Sequence, residues 1–320
     1  MPESEKSLIR RIRRLAGAGP TVVTGIGDDA AVLRIPAGCE ALVTTDFTLE
    51  GVHFRREWHR AQVVGWRCLT RGLSDIAAMA GDPQAAFLSL ALSSDVPQRW
   101  VEGFLKGMME LASRYKVPLA GGDTAQSRGG IQADIVVVGS VPQGKAVLRS
   151  GARVGEHIYV TGELGGSALA LARLRQGKRL GVESAKHFWP EPRLAVGRWL
   201  REKGIPSAMI DISDGLSTDL EHICQESRVG AVIELEAIPR ARCGKGRGGF
   251  VDLEYALHGG DEYELLFTSS RLVPGKVEGV RVTRIGSITK SAGMRAIDAQ
   301  GKVRRLAARG WEHFKNRAIG

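Results

Sequence analysis

Two hydrophobic periods alternate along this chain of 320 residues. Apolar positions recur at helical spacing over 60–80 and 98–115, whereas 85–92 alternates strictly and 131–141 is a long Val-rich run, both patterns of β-strands. Residues 4–15 read as a basic amphipathic helix. Shorter strands are predicted at 30–35, at 41–47 and at 117–120, the last two running into small-residue turns. A Gly-, Lys- and Arg-rich seam at 142–155 separates this half from a second. There strands are predicted at 157–161, 209–212, 231–235, 264–268 and 280–285, with helices from 167, over 190–203 and over 217–227. The stretch 243–249 (CGKGRGG) reads as a mobile loop. No short-period repeat or low-complexity tract interrupts the pattern.

What the pattern leaves between its elements is acidic. The segments Gly27-Asp28-Asp29, Thr44-Thr45-Asp46, Ser74-Asp75, Gly121-Gly122-Asp123, Asp211-Ile212-Ser213-Asp214-Gly215 and Gly259-Gly260-Asp261-Glu262 each set an acid beside Gly, Ser or Thr, most of them flanking a Val/Ile/Leu-rich run. Short carboxylates among small residues let oxygens converge on a hard cation such as Mg²⁺ without steric conflict. One such turn carries no message. Six of them predict a single acidic, multi-metal pocket assembled from distant segments.

The apolar fraction of 43% and charged fraction of 25% are ordinary for a soluble globular protein, and the length suffices for two cores. No run approaches a membrane span, and the first fifteen residues lack a signal-peptide core. Cys39, Cys68, Cys224 and Cys243 are scattered with no CxxC pair, which predicts buried thiols in a reducing, cytoplasmic setting. The net charge of +10 raises the question of nucleic acid. Its arginines fall in three clusters without interleaved aromatics, and residues 21–53 form an acidic island, so a solvated basic surface that steers anionic metabolites is the reading. No nucleic-acid or membrane partner is expected.

Two phosphate-binding look-alikes fail on their context. Gly25-Ile26-Gly27-Asp28-Asp29-Ala30 spells a dinucleotide fingerprint but carries two carboxylates where a pyrophosphate would sit and leads into a strand. Residues 139–146 imitate a Walker A loop, with Ala146 in place of the hydroxyl that holds Mg²⁺ and Pro142 removing a backbone donor. There is no GxSxG elbow, no HExxH and no His/Cys pair for a nucleophile.

The ordered set GIGDDAAVL, TTDFTLEGVHF, GLSDIAAMAGDP, GGDT, VTGELGGSALAL, DISDGLSTDLEHI, HGGDEYELLFT and GWEHF resembles the thiamine-monophosphate kinase family, over about residues 25–314. The resemblance implies an α/β (α+β) chain on the two-domain aminoimidazole ribonucleotide synthetase-like fold. An N-terminal mixed sheet with helices (1–148) would hold metal and ATP and form a homodimer, and a C-terminal α/β sandwich (149–320) would complete the substrate site. It implies ATP-dependent phosphorylation of thiamine monophosphate to thiamine diphosphate. Asp29, Thr44, Thr45, Asp46, Asp75, Asp123, Asp211 and Asp214 would be Mg²⁺ ligands, with Asp46, Asp75 and Asp123 central to the metal-assisted transfer. Gly122, Asp123, Arg149 and Ser213 would meet ATP. His53, Asp261 and Trp311 would face thiamine phosphate. The physics of the reaction fits independently: the acceptor is already an anionic phosphate oxygen, so what blocks transfer is repulsion between polyanions, relieved by metals and alignment.

Plainer readings stand beside these. Asp211 and Asp214 also suit a helix cap, Trp311 a tail anchor, and His53 a surface histidine; Asp75 near a helix C-terminus opposes the macrodipole, which calls for a partner. The family reads Gly-Gly-Glu-Asp-Tyr where this chain has Gly259-Gly260-Asp261-Glu262-Tyr263, leaving open which acid meets substrate. It often reads Thr-Asp-Thr-Leu where this chain has Thr45-Asp46-Phe47-Thr48, which keeps the ligands. Selenophosphate synthetase would need a cysteine in an N-terminal Gly-rich loop, and the hydrogenase maturation factor a Cys-containing tail; neither is here. The ribonucleotide synthetase fits less well. A non-catalytic, basic nucleotide- or RNA-binding protein is the rival from another class, and it would bind in a steeply salt-dependent way.

Overall fold

The computed structural model describes residues 5–16, 19–244 and 249–314. The chain divides into two compact units, Met1–Ala146 with Phe188–Leu194, and Val147–His187 with Ala195–Gly320. The core of the loop expected at 243–249 (residues 245–248) and the last six residues lie outside the described residues.

The first unit contains α1 (Glu5–Leu15), β1 (Val22–Thr24), β2 (Val32–Leu33), β3 (Cys39–Leu49), α2 (Ala61–Ala78), β4 (Asp82–Leu92), α3 (Gln98–Tyr115), β5 (Leu119–Gln126) and β6 (Gln132–Pro142). A small β1–β2 pair stands apart from a four-stranded mixed sheet in the order β3-β6-β4-β5. Only β4 and β5 run parallel. Side chains on a strand alternate between faces, and β6 shows it: Ala133, Ile135 and Val137 are buried beneath α2, while Asp134, Val136 and Val138 face the other way, half-buried. Helix α2 is buried nearly all round, Arg67, Thr70 and Ser74 included, because it is sandwiched between this sheet and α3.

Residues 188–194, expected with the second half, belong to the first unit. The reason is local. Pro192 biases Glu191 toward extended backbone, and the Pro190 carbonyl accepts from Trp66 Nε1 at 2.8 Å. Trp189 packs edge-on against Trp66, and Glu191 meets Arg114 and the Tyr115 hydroxyl. The helix predicted over 190–203 therefore begins only at Leu194.

The second unit contains β7 (His157–Thr161), α4 (Gly166–Arg175), α5 (Ser184–Phe188, whose last residue falls in the first unit), α6 (Leu194–Glu202), β8 (Ala208–Asp211), α7 (Leu216–Ser227), β9 (Gly230–Glu234), a 3₁₀ turn (Leu235–Ala237), α8 (Leu253–His258), β10 (Leu265–Ser269), β11 (Lys276–Val277), β12 (Val280–Thr289), β13 (Gly293–Ile297) and β14 (Val303–Leu306). Its sheet runs β14-β13-β9-β12-β7-β10-β8, with β11 paired to β12. Only β9 and β13 are parallel neighbours. Ile158, Val160, Ile210, Leu266, Ile285 and Ile288 from the strands, with Leu216, Leu220 and Ile223 of α7, form one apolar core. No helix among the described residues is long and apolar enough to cross a membrane.

Candidate active site

Three groups of the sequence-predicted residues emerge, two in the first unit and one in the second. In the first unit the loop 25–31, residues 120–124 and Ile9 and Ile12 of α1 wall a cavity of about 570 Å³. It gathers Asp28, Asp29, Gly122 and Asp123, which lie almost a hundred residues apart in the chain. The Asp28 carboxylate accepts from the Asp29 amide at 3.0 Å, and that of Asp123 from the Thr124 amide at 2.8 Å. Asp28 thus shapes its turn. Residues 121–123 do not turn; they continue β5. Gly122 sits at φ +144°, where a Cβ would overlap the Leu88 carbonyl of the neighbouring strand. The glycines permit close strand approach.

The second group lies under α2. Thr44 and Asp46 alternate onto the helix-covered face of β3, and the Thr44 hydroxyl donates to the Asp75 carboxylate on the last turns of α2. That is the partner an acid at a helix C-terminus requires. Asp46 bears electrostatically on the buried Cys68 thiol, which burial above all pushes up to about 12. Thr44-Thr45-Asp46, expected as a turn, is the middle of an eleven-residue strand. Thr45 consequently points to the opposite face, where its hydroxyl donates to Asp134 Oδ1 at 2.8 Å. Its side chain does not join Thr44, Asp46 and Asp75. His53, in the turn after β3, accepts from the Leu49 amide through Nδ1 at 3.0 Å and is not among the cavity residues.

In the second unit, β8 ends in Asp211 and hands directly to Ser213-Asp214-Gly215 and α7. The Ser213 carbonyl accepts from the Asp261 amide at 2.8 Å, and the Asp214 carbonyl from the Trp311 amide at 2.9 Å. Asp211, Ser213, Asp214, Asp261 and Trp311 are therefore one cluster. Asp261 holds a left-handed backbone (φ +58°), and its carboxylate accepts from the buried Tyr263 hydroxyl at 2.7 Å. Glu262 turns the other way. Its Oε1 accepts from the Gly165 and Ser167 amides at the start of α4, and its Oε2 pairs with Lys186 at 2.9 Å. Of the two swapped acids, Glu262 is committed to structure and Asp261 is left at the cluster. Arg149 is exposed at the start of the unit, its carbonyl accepting from Ser227.

The residue that sequence reasoning passed over is Asp219. It is 1% exposed, and its Oδ2 accepts from the Gly215 amide at 3.0 Å. Burial, reinforced by Asp211 and Asp214, drives its carboxyl well above the ordinary range. Asp214, Asp219 and His222 offer ligand atoms within 4.8 Å of one another. The signal was present in DISDGLSTDLEHI, as an acid and a histidine three apart on one face of a helix.

Comparison with known proteins supplies the family. Profiles of the AIR synthase related protein family match residues 27–141 (N-terminal domain) and 153–298 (C-terminal domain). The thiamine-monophosphate kinase of Escherichia coli K12 is 37% identical over 330 residues, covering 97% of this chain and 98% of the relative. The chain belongs to the thiamine-monophosphate kinase family. The crystal structure of the family member from Stenotrophomonas maltophilia K279a superposes with a TM-score of 0.81 at 34% identity, over 92% of this chain and 97% of that one. A further solved relative, ThiL complexed with AMPPCP and TMP, gives 0.76 at 31% identity, over 88% of this chain and 89% of that one. The fold is α/β, built from two domains of the AIR synthase type.

Proposed function

We propose that this chain phosphorylates thiamine monophosphate with ATP, giving thiamine diphosphate and ADP. The observation that carries the reading is the cavity that collects Asp28, Asp29, Gly122 and Asp123, in a chain whose relatives of nearly equal length are thiamine-monophosphate kinases. An oxygen of the thiamine phosphate attacks the γ-phosphorus in line. The new O–P bond forms as the bond to the β-phosphate oxygen breaks, and ADP leaves. The attacking oxygen is anionic at neutral pH, so no side chain need remove a proton.

The donor set fits Mg²⁺. Asp28, Asp29 and Asp123 offer carboxylates around the cavity, Thr44, Asp46 and Asp75 add a hydroxyl and two carboxylates on one face, and Asp211, Asp214 and Asp219 crowd like charges that a divalent cation relieves. Bound Mg²⁺ supplies charge neutralisation and polarisation of the transferred phosphoryl group. Asp29, Thr44, Asp46, Asp75, Asp123, Asp211 and Asp214 are the ligands in this reading, and Thr45 contributes through its carbonyl. Gly122, Asp123, Arg149 and Ser213 meet ATP, with the Arg149 guanidinium neutralising phosphate. His53, Asp261 and Trp311 meet thiamine phosphate, the indole lying against its cationic ring.

The first unit also supports a homodimer. Val43 and Phe47 are 68% and 59% exposed on the face of the four-stranded sheet that α2 leaves open, an apolar patch suited to a second copy. The four free cysteines suit the cytoplasm. The decisive test of the substrate is a screen of thiamine monophosphate, free thiamine and aminoimidazole precursors with ATP. Thiamine diphosphate should accumulate one per ADP from the first alone. ADP released without it would reject the assignment.

A further inference from the structure

The tail that delivers Trp311 is strapped onto the metal-ligand loop by three consecutive backbone amides. Arg309 N donates to Ser217 Oγ at 3.3 Å, Gly310 N to Thr218 Oγ1 at 3.0 Å and Trp311 N to the Asp214 carbonyl at 2.9 Å. All three acceptors belong to the first turn of α7 or the loop before it. Gly310 is required by closeness: a Cβ there would overlap the Asp214 carbonyl and the Thr218 hydroxyl.

A side-chain clasp closes over the strap. Arg309 Nη2 donates to His258 Nε2 at 2.8 Å and to Glu254 Oε2 at 2.7 Å, both on α8. A guanidinium only donates, so Nε2 must accept. The proton then resides on Nδ1, which donates to Ser217 Oγ at 2.7 Å. Ser217 is thereby held by the histidine while it holds the strap. Beyond this clasp Trp311 remains 38% exposed, its ring edge-on to His313 at 5.5 Å.

We propose that Arg309 is a positioning residue for thiamine monophosphate: through His258 and Ser217 it fixes the strap that presents the Trp311 indole beside the Asp214 loop. The inference rests on the reading of Trp311 as a substrate surface. It makes recognition of the thiamine ring depend on a guanidinium that touches no substrate.

The experiment compares full-length wild type with Arg309→Ala, Arg309→Lys, Gly310→Ala and Trp311→Ala, with KM for thiamine monophosphate, KM for ATP, kcat and the melting temperature measured for each. Arg309→Ala should raise KM for thiamine monophosphate about tenfold, the same direction as Trp311→Ala, with KM for ATP and kcat within about twofold; Gly310→Ala, whose Cβ presses on the Asp214 carbonyl, should raise it likewise and lower kcat as well. Arg309→Lys should restore part of the loss, since both bonds leave the single nitrogen Nη2 and an ammonium offers several donors from one nitrogen, on a shorter side chain. An unchanged KM for thiamine monophosphate in Arg309→Ala, beside a raised one in Trp311→Ala, overturns the positioning role alone. An unchanged value in Trp311→Ala removes the substrate surface and the proposal with it. A fall in kcat and melting temperature with both KM values intact shows a merely structural clasp and also overturns it.

Discussion

Replacing Lys186 by Met tests the arrangement that commits Glu262 to the start of α4. Lys186 Nζ lies 2.9 Å from Glu262 Oε2 and 2.8 Å from Glu264 Oε1, and donates to the Glu163 carbonyl at 2.5 Å. Both glutamates are 1% exposed. Methionine keeps the length and the apolar stem but leaves two buried carboxylates without their cation. Removing one partner of a buried pair costs about 3–5 kcal/mol. For a unit of this size about 2–4 °C is lost per kcal/mol, so melting should fall by about 6–20 °C. The sign with pH is fixed. Burial raises the Glu262 carboxyl above its unfolded value, with Lys186 opposing the rise. A folded-state value that is raised means stability declines as pH climbs from the unfolded value through the folded one. Without Lys186 the folded value rises further, so the variant loses most at high pH and recovers toward wild type as pH drops below the window and Glu262 is protonated in both. Calorimetry of both proteins from about pH 4 to 8 reads this directly. A deficit under about 2 °C at pH 8, or one that widens on acidification, would refute the reasoning.

Other perturbations separate the remaining roles. Thr44→Val keeps the strand and removes the hydroxyl that donates to Asp75; apparent Mg²⁺ affinity in a metal titration of activity should weaken about 10–100-fold. Asp75→Asn should cut turnover by at least about 100-fold at saturating ATP with melting unchanged, and near-normal activity would remove Asp75 from the reaction. Val43→Glu with Phe47→Glu places charge on the open sheet face, and sedimentation should then find a monomer where wild type is a dimer; a wild-type monomer would dispose of that interface.

Helices with a clear apolar stripe were legible almost to the residue: 98–115 is α3, because its buried Val101, Phe104, Leu105, Met108 and Leu111 keep strict three-four spacing. Strand boundaries beside glycine were not. Gly121-Gly122 looks like a turn in sequence, yet in space it allows β5 to press against β4. Strands β13 and β14 escaped notice because arginines interrupt them, Arg295 in one and Arg304 and Arg305 in the other. The acids were legible as a set, but their grouping was not. Alternation along β3 parts Thr45 from Thr44, a fact that depends on which face α2 covers. Likewise only the structure shows that Glu262, and not Asp261, accepts from the amides that open α4. Asp219 went unseen for a related reason: its burial, not its type, makes it unusual.

The central claim is that these carboxylates hold divalent cations that let one anion phosphorylate another. Phosphorus NMR of the purified chain with ATP and thiamine monophosphate tests it most directly. Thiamine diphosphate resonances should grow in step with ADP, fall silent with EDTA and return with excess Mg²⁺. Inorganic phosphate in place of thiamine diphosphate, or product formation indifferent to EDTA, would contradict it.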